Sequence, residues 1–260
     1  CKALSNFMKA MLKEVGIESY YTLVRAGDNA RNILKEFPSN QFNHMILCVP
    51  NYQDTVWLEC TSQDNPFGFQ GSFTGDRDVL VINETGGVLV RAKNYHKEEN
   101  QQIQLAEVTI ASDGSAAIEM SLTSTGRQYE HYAHLLDIAD TEQKKWLYRN
   151  IDLPNFELVD FKFDQKKQPV PELYADFEMK VPRFANASGK RIFFQTKIFN
   201  RSGKVRIPQK ERKYDFVLDY PFQDSDTVRF LIPEGYHLEY LPEATVIESA
   251  FGKYESRIIA

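Results

Sequence analysis

The stretch FNHMILCVPNYQDTVWLEC, residues 42–60, decides how the first part of the chain is read. Two apolar runs, 44–50 and 55–60, flank the polar tetrapeptide NYQD, the pattern of a β-hairpin. His44 opens the first run and Glu59 falls near the close of the second. Strand side chains alternate faces, so parity decides whether the two can meet. A two-residue turn at Asn51–Tyr52 makes them direct cross-strand partners, and a four-residue loop, 51–54, makes them diagonal neighbours. Both cases put them on one face with Cβ atoms roughly 5–8 Å apart. An odd loop without a bulge separates them. The same parity turns Asn43 away from His44, sets Cys48 on the His44 face as a packing residue, and points Cys60 the other way.

Working outward, residues 1–15 read as a helix: Leu4, Phe7, Met8, Met11, Leu12 and Val15 recur at helical spacing, and Gly16 is placed to end it. Cys1 is in phase with Leu4, Met8 and Met11, which assigns it to the core side. IESYYTLVRAG reads as a strand, DNARNILKEFPSNQ as a polar stretch with a short helix, and VLVIN as a further strand beyond a loop rich in breakers. The glycines of TGG, 85–87, form a turn. Residues 1–87 are thus expected to form an α+β unit, a helix packed on an antiparallel sheet.

The texture changes over 88–260, expected to be a mainly-β, sandwich-like domain with a helical insert. IQLAEVTIASDGSAAIEMSL reads as two strands about an Asp-Gly turn, with Ala116, Ile118, Met120 and Leu122 on one face. Residues 127–150 read as helical, with Asp140 and Gln143 as a capping box and Pro154 beyond the end. The stretches 174–181 and 191–198 alternate as half-buried strands, the pattern of a sandwich.

Composition narrows the function classes. With 42 % hydrophobic and 26 % charged residues the chain is globular in type, and a net charge of −5 gives no basic footprint for nucleic acid or an anionic membrane. No apolar run approaches the ~20 residues of a transmembrane helix. Three cysteines, Cys1, Cys48 and Cys60, do not form a disulfide framework. His131 and His134 in EHYAH have a spacing that can bind metal, but no third ligand is near. The expected arrangement is a solvated helix face with aromatic packing, and no metal site is assigned.

The chemistry lies in the hairpin and the first residue. A carboxylate beside a histidine fixes its tautomer and stabilises the imidazolium. A cysteine at a helix N-terminus gains thiolate character from free N–H groups and the macrodipole. A cysteine opening an apolar helix, followed by GIESYYTLVRAG, FNHMILCVP and DTVWLECTSQ, resembles the core of the transglutaminase-like superfamily, whose papain-like arrangement carries Cys, His and Asp in that chain order. More narrowly it is similar to bacterial envelope proteins that carry such a core between all-β domains of uncharacterised function. The resemblance implies Cys1 as nucleophile, His44 as general base and then acid, Glu59 as the orienting carboxylate, no cofactor, a protein or cell-wall peptide as substrate, and a periplasmic or cell-envelope location. The family's Asp before a Pro-Thr pair is replaced here by Glu59 before Cys60 and Thr61. The family also places a helical segment and a Gly-Asp pair ahead of the cysteine. By comparison the core is expected to lack its N-terminal part, and the mainly-β domain to be cut short at the C-terminus. The alternative from the same residues is a non-catalytic scaffold or binding module.

Overall fold

The computed structural model describes residues 1–28, 30–51, 54–200, 213–215 and 217–260. Helix α1 spans Lys2–Glu14 with Cys1 as its N-cap. It ends in a Schellman motif: Gly16, at φ +75°, donates to the Lys13 carbonyl at 3.0 Å and Ile17 donates to the Leu12 carbonyl at 2.9 Å. Only glycine takes that left-handed position without a Cβ penalty. Strands β1 (Tyr20–Val24), β2 (His44–Pro50) and β3 (Thr55–Leu58), helix α2 (Gly71–Thr74), and strands β4 (Asp78–Asn83) and β5 (Gly86–Arg91) complete the first unit. The strands form an antiparallel sheet of order β3-β2-β1-β4-β5. Strand β5 carries this sheet to Arg91, past the expected boundary at 87. The stretch 28–41 holds no helix in its described residues. The Gln41 side chain there bonds Leu34 N–H, Leu34 carbonyl and Phe37 carbonyl at 2.9, 2.9 and 3.0 Å, using backbone groups that a helix would need.

The register Cys48↔Trp57 and Pro50↔Thr55 selects the four-residue loop, 51–54. Pairing of Val24 with His44 and Thr22 with Ile46 puts Val24, His44, Ile46 and Cys48 on one face. Val24, Ile46, Cys48, Trp57, Val79 and Val81 form that face's buried cluster.

Helix α1 lies against the other face. Tyr21 donates its hydroxyl to Asn6 Oδ1, Lys9 Nζ sits 4.3 Å from the Tyr21 ring centroid, and Ser5 Oγ donates to the Met45 carbonyl at 3.3 Å. These anchors rotate the helix from its expected orientation. Ser5 is fully buried, whereas Leu4, Phe7, Met11 and Val15 are 41–70 % exposed. Periodicity fixes where an apolar stripe runs, but here polar contacts select the sector that meets the sheet.

The second unit contains β6 (Gln101–Ile110), β7 (Ala116–Thr125), α3 (Glu130–Ala133), α4 (Asp140–Asn150), β8 (Glu157–Lys166) and β9 (Glu172–Val181). It continues through β10 (Asn186–Ser188), β11 (Arg191–Phe193), β12 (Gln223–Leu231), β13 (Thr245–Ser249) and β14 (Gly252–Ser256). The main sheet runs β12-β6-β7-β9-β8, and β12 joins β6 in parallel. Pairs β10–β11 and β13–β14 are separate two-stranded ribbons.

One face of the main sheet is apolar, with Val108, Ile118, Leu173, Phe177 and Met179 packed beneath Tyr129, Leu147, Leu153 and Phe156. Among the described residues the cover is helix and loop, together with Ile192 of the short strand β11, in place of the second sheet expected for a sandwich. Alternation requires one covered face and does not specify what covers it. The helical insert is broken by extended backbone at Ile138 and Ala139. Ala139, not Asp140, is the N-cap of α4, and the Gln143 amide reaches back to the Leu135 carbonyl at 2.7 Å, so no capping box forms. The expected strand at 191–198 is confined to 191–193; beyond it Phe194 packs on Phe230 at 5.0 Å and Ile198 and Phe199 enter the core.

Candidate active site

His44 is the first residue of β2, and Glu59 follows the end of β3. Extending the β2–β3 register places Glu59 opposite Ile46, the diagonal neighbour of His44 on the same face. The side chains meet: His44 Nε2 lies 2.8 Å from Glu59 Oε2, with the two side chains only 11 % and 5 % exposed. Glu59 Oε1 accepts from Thr61 N–H at 3.0 Å and from the Thr61 hydroxyl. Burial pushes the Glu59 carboxyl up, but the His44 and Thr61 hydrogen bonds and the imidazole charge outweigh it, and the net direction is downward. An ionised carboxylate only accepts, so Nε2 carries the proton and Nδ1 is left for exchange with another group. The Phe73 ring meets the imidazole at 5.5 Å with planes at 68°.

Asn43 is occupied elsewhere: it accepts from Ala26 N–H at 2.7 Å and donates to the Ala26 carbonyl at 3.0 Å, tying the end of β1 to the start of β2.

The cysteines have three different settings. Cys1 is exposed at the tip of α1, not core-facing as expected, and so are Leu4 and Met11 of the stripe it is in phase with, since polar contacts and not that stripe seat the helix. Its thiol makes no hydrogen bond to His44 among the described residues, and α1 lies on the sheet face opposite the imidazole. Cys48 is buried, and burial pushes its thiol up to about 11. Cys60 is partly buried beside Ser5; burial raises its pKa, the Ser5 hydrogen bond opposes the shift, and the Glu59 charge adds to it. The structure thus joins His44 to Glu59 directly, and among the described residues no hydrogen bond links Cys1 to either.

Two supporting features escaped the sequence reading because they lie in the breaker-rich segment 61–78. One is α2, which puts Phe73 on His44. The other is Arg77, 8 % exposed, whose guanidinium donates to the carbonyls of Arg25, Gly27, Ser72 and Gly75 at 2.6, 3.2, 2.7 and 3.1 Å. A single arginine between Asp76 and Asp78 was the available signal. Of the two histidines of EHYAH, His131 Nε2 contacts the Tyr220 hydroxyl at 3.1 Å and His134 packs on Trp146 at 5.7 Å. Among the described residues no group of three His, Cys, Asp or Glu side chains is arranged to hold a metal, and no helix is long and apolar enough to cross a membrane.

Residues 190–260 match the model of a domain of unknown function with a solved structure, DUF3858. No curated protein and no solved structure gives a match to the chain.

Proposed function

We propose that the chain carries a transglutaminase-like core, papain-like in arrangement, for cysteine-dependent acyl transfer on amides of protein or cell-wall peptide in the bacterial envelope. The observation that carries this reading is the nearly buried His44–Glu59 pair, with Nε2 bound to the carboxylate and Nδ1 without a hydrogen-bond partner among the described residues. In the proposed cycle Nδ1 takes the proton of Cys1, and the sulfur attacks the amide carbonyl. The imidazolium, stabilised by Glu59, then protonates the departing amine, leaving a thioester. Water or a second amine gives its proton to Nδ1 and displaces the sulfur, yielding acid or new amide.

The discriminating measurement is the pH profile of Cys1 alkylation, resolved by peptide mass mapping. An activated thiol alkylates well below the ~8.5 pKa of a free cysteine, and His44→Ala removes that advantage. A wild-type profile matching a model thiol defeats the enzymatic reading. The exposure of Cys1 and its lack of a bond to His44 favour a second reading, a non-catalytic scaffold or binding module, for which that null profile is the expected result.

A further inference from the structure

We propose that Glu130, contributed by the second unit, is a positioning residue for the His44–Glu59 pair, acting through α2 and the Phe73 ring. The importance attached to the pair rests on the functional reading above; the coupling itself is a matter of geometry.

Helix α2 is a single turn, too short to hold itself in place by its own hydrogen bonds. Its position is set from outside. Both Glu130 carboxylate oxygens accept from Ser72 N–H, at 2.9 and 3.0 Å, and the Ser72 hydroxyl lies 3.3 Å from Glu130 Oε1 and 3.1 Å from Asp28 Oδ1. Arg77 holds the Ser72 carbonyl at 2.7 Å, and Gly27 N–H donates to the Phe73 carbonyl at 2.9 Å. The residue preceding Ser72 is shaped for this approach. Gly71 has φ +54°, and a Cβ there would stand 1.9 Å from Glu130 Oε1. Burial pushes the Glu130 carboxyl up, opposed by the Ser72 N–H and the charge of Arg127, while Asp28 adds to the rise.

The residue after Ser72 is Phe73, whose ring meets the His44 imidazole. The path is therefore short: carboxylate to Ser72, Ser72 to Phe73 through one peptide bond, and Phe73 ring to imidazole. The charged groups bearing on it are Glu59 at the imidazole and Arg127 and Asp28 at Glu130. An aromatic ring packed against an imidazole constrains its orientation and shields it from water, and burial in general disfavours a charged form. Losing the carboxylate removes the anchor on the Ser72 N–H and leaves α2 held by Arg77, Gly27 and Asp28, which loosens the seat of that neighbour.

The test follows the His44 ring by NMR across pH in the full chain, with Glu130→Ala, Glu130→Gln and Phe73→Leu beside wild type. Glu130→Ala and Phe73→Leu are expected to move the His44 titration midpoint in the same direction, by on the order of half a pH unit, a threefold change in protonation equilibrium. Glu130→Gln, which retains one acceptor for Ser72 N–H, should lie between them and wild type. A general loss of stability alone moves unfolding without this graded order. An unmoved midpoint in Glu130→Gln and in folded Glu130→Ala, with a shift in Phe73→Leu, overturns the coupling. If Glu130→Ala does not fold, Glu130→Gln decides: a midpoint identical to wild type overturns the proposal. The readout needs no reactive thiol. A shifted midpoint combined with model-thiol alkylation of Cys1 therefore rejects the enzymatic reading while leaving the coupling in place.

Discussion

Removing the Glu59 carboxylate tests the site at its most constrained bond. In Glu59→Ala, Thr61 loses its partner at no great cost, because Thr61 is exposed and its N–H regains water. The imidazole is different: with 11 % of the His44 side chain exposed, Nε2–H is left largely without an acceptor. An unsatisfied buried donor costs about 1–3 kcal/mol, reduced here by the relief of desolvating one carboxylate. The expected loss is about 1–2 kcal/mol, and Glu59→Gln, whose amide oxygen can still accept, should lose roughly half of that. The assay is urea denaturation at a series of pH values. Folding lowers the Glu59 pKa, so the folded chain holds its proton less tightly than the unfolded chain. The stabilisation is therefore complete above the unfolded carboxyl value of about 4.5 and declines as pH falls through the lower folded value. The gap between wild type and Glu59→Gln should narrow in acid. A Glu59→Ala protein within about 0.5 kcal/mol of wild type near neutral pH refutes the buried-pair argument.

Two further outcomes are expected. Phe69, 2 % exposed and packed on Tyr95 and Tyr129 at centroid distances of 5.5 and 6.0 Å, carries the first unit's loop into the second unit's core. Phe69→Ala should cost about 3–5 kcal/mol by urea denaturation, and a loss below about 1 kcal/mol contradicts that packing. Cys48, buried with its thiol raised to about 11, should resist iodoacetamide in native protein while exposed Cys1 reacts. Mass mapping that finds both labelled at equal rates rejects the burial of β2.

The parts legible in the sequence were those governed by short-range rules. Gly16 ends α1, the Asp113–Gly114 turn joins β6 to β7, and two-residue alternation alone brings His44 and Glu59 to one face. Parity left two loop lengths open, and the pairing Pro50↔Thr55 chose the longer. The failures share a cause: each depended on contacts between distant segments. The stripe of Leu4, Phe7, Met11 and Val15 was correctly periodic, yet Ser5, Asn6 and Lys9 made the contacts to β1 and β2. Alternation in 191–198 predicted a strand where only Arg191–Phe193 pairs in strand register, with Asn186–Ser188. Segment 61–78 read as loop because Gly, Pro and Asp dominate it, and its one helical turn exists through Glu130 and Arg77, which sequence periodicity does not register.

The parallel pairing of β12 with β6 ties the timetable of folding to a distant stretch of the polypeptide. As the chain leaves the ribosome, β6, β7, β8 and β9 can zip together by successive antiparallel neighbours, but one flank of β6 stays bare until residues 223–231 return to it. During that wait the flank is an open row of peptide donors and acceptors, able to recruit a strand from another copy. The last strand to join this sheet thus acts as a guard against self-association, and closing that edge depends on a long-range, slow contact.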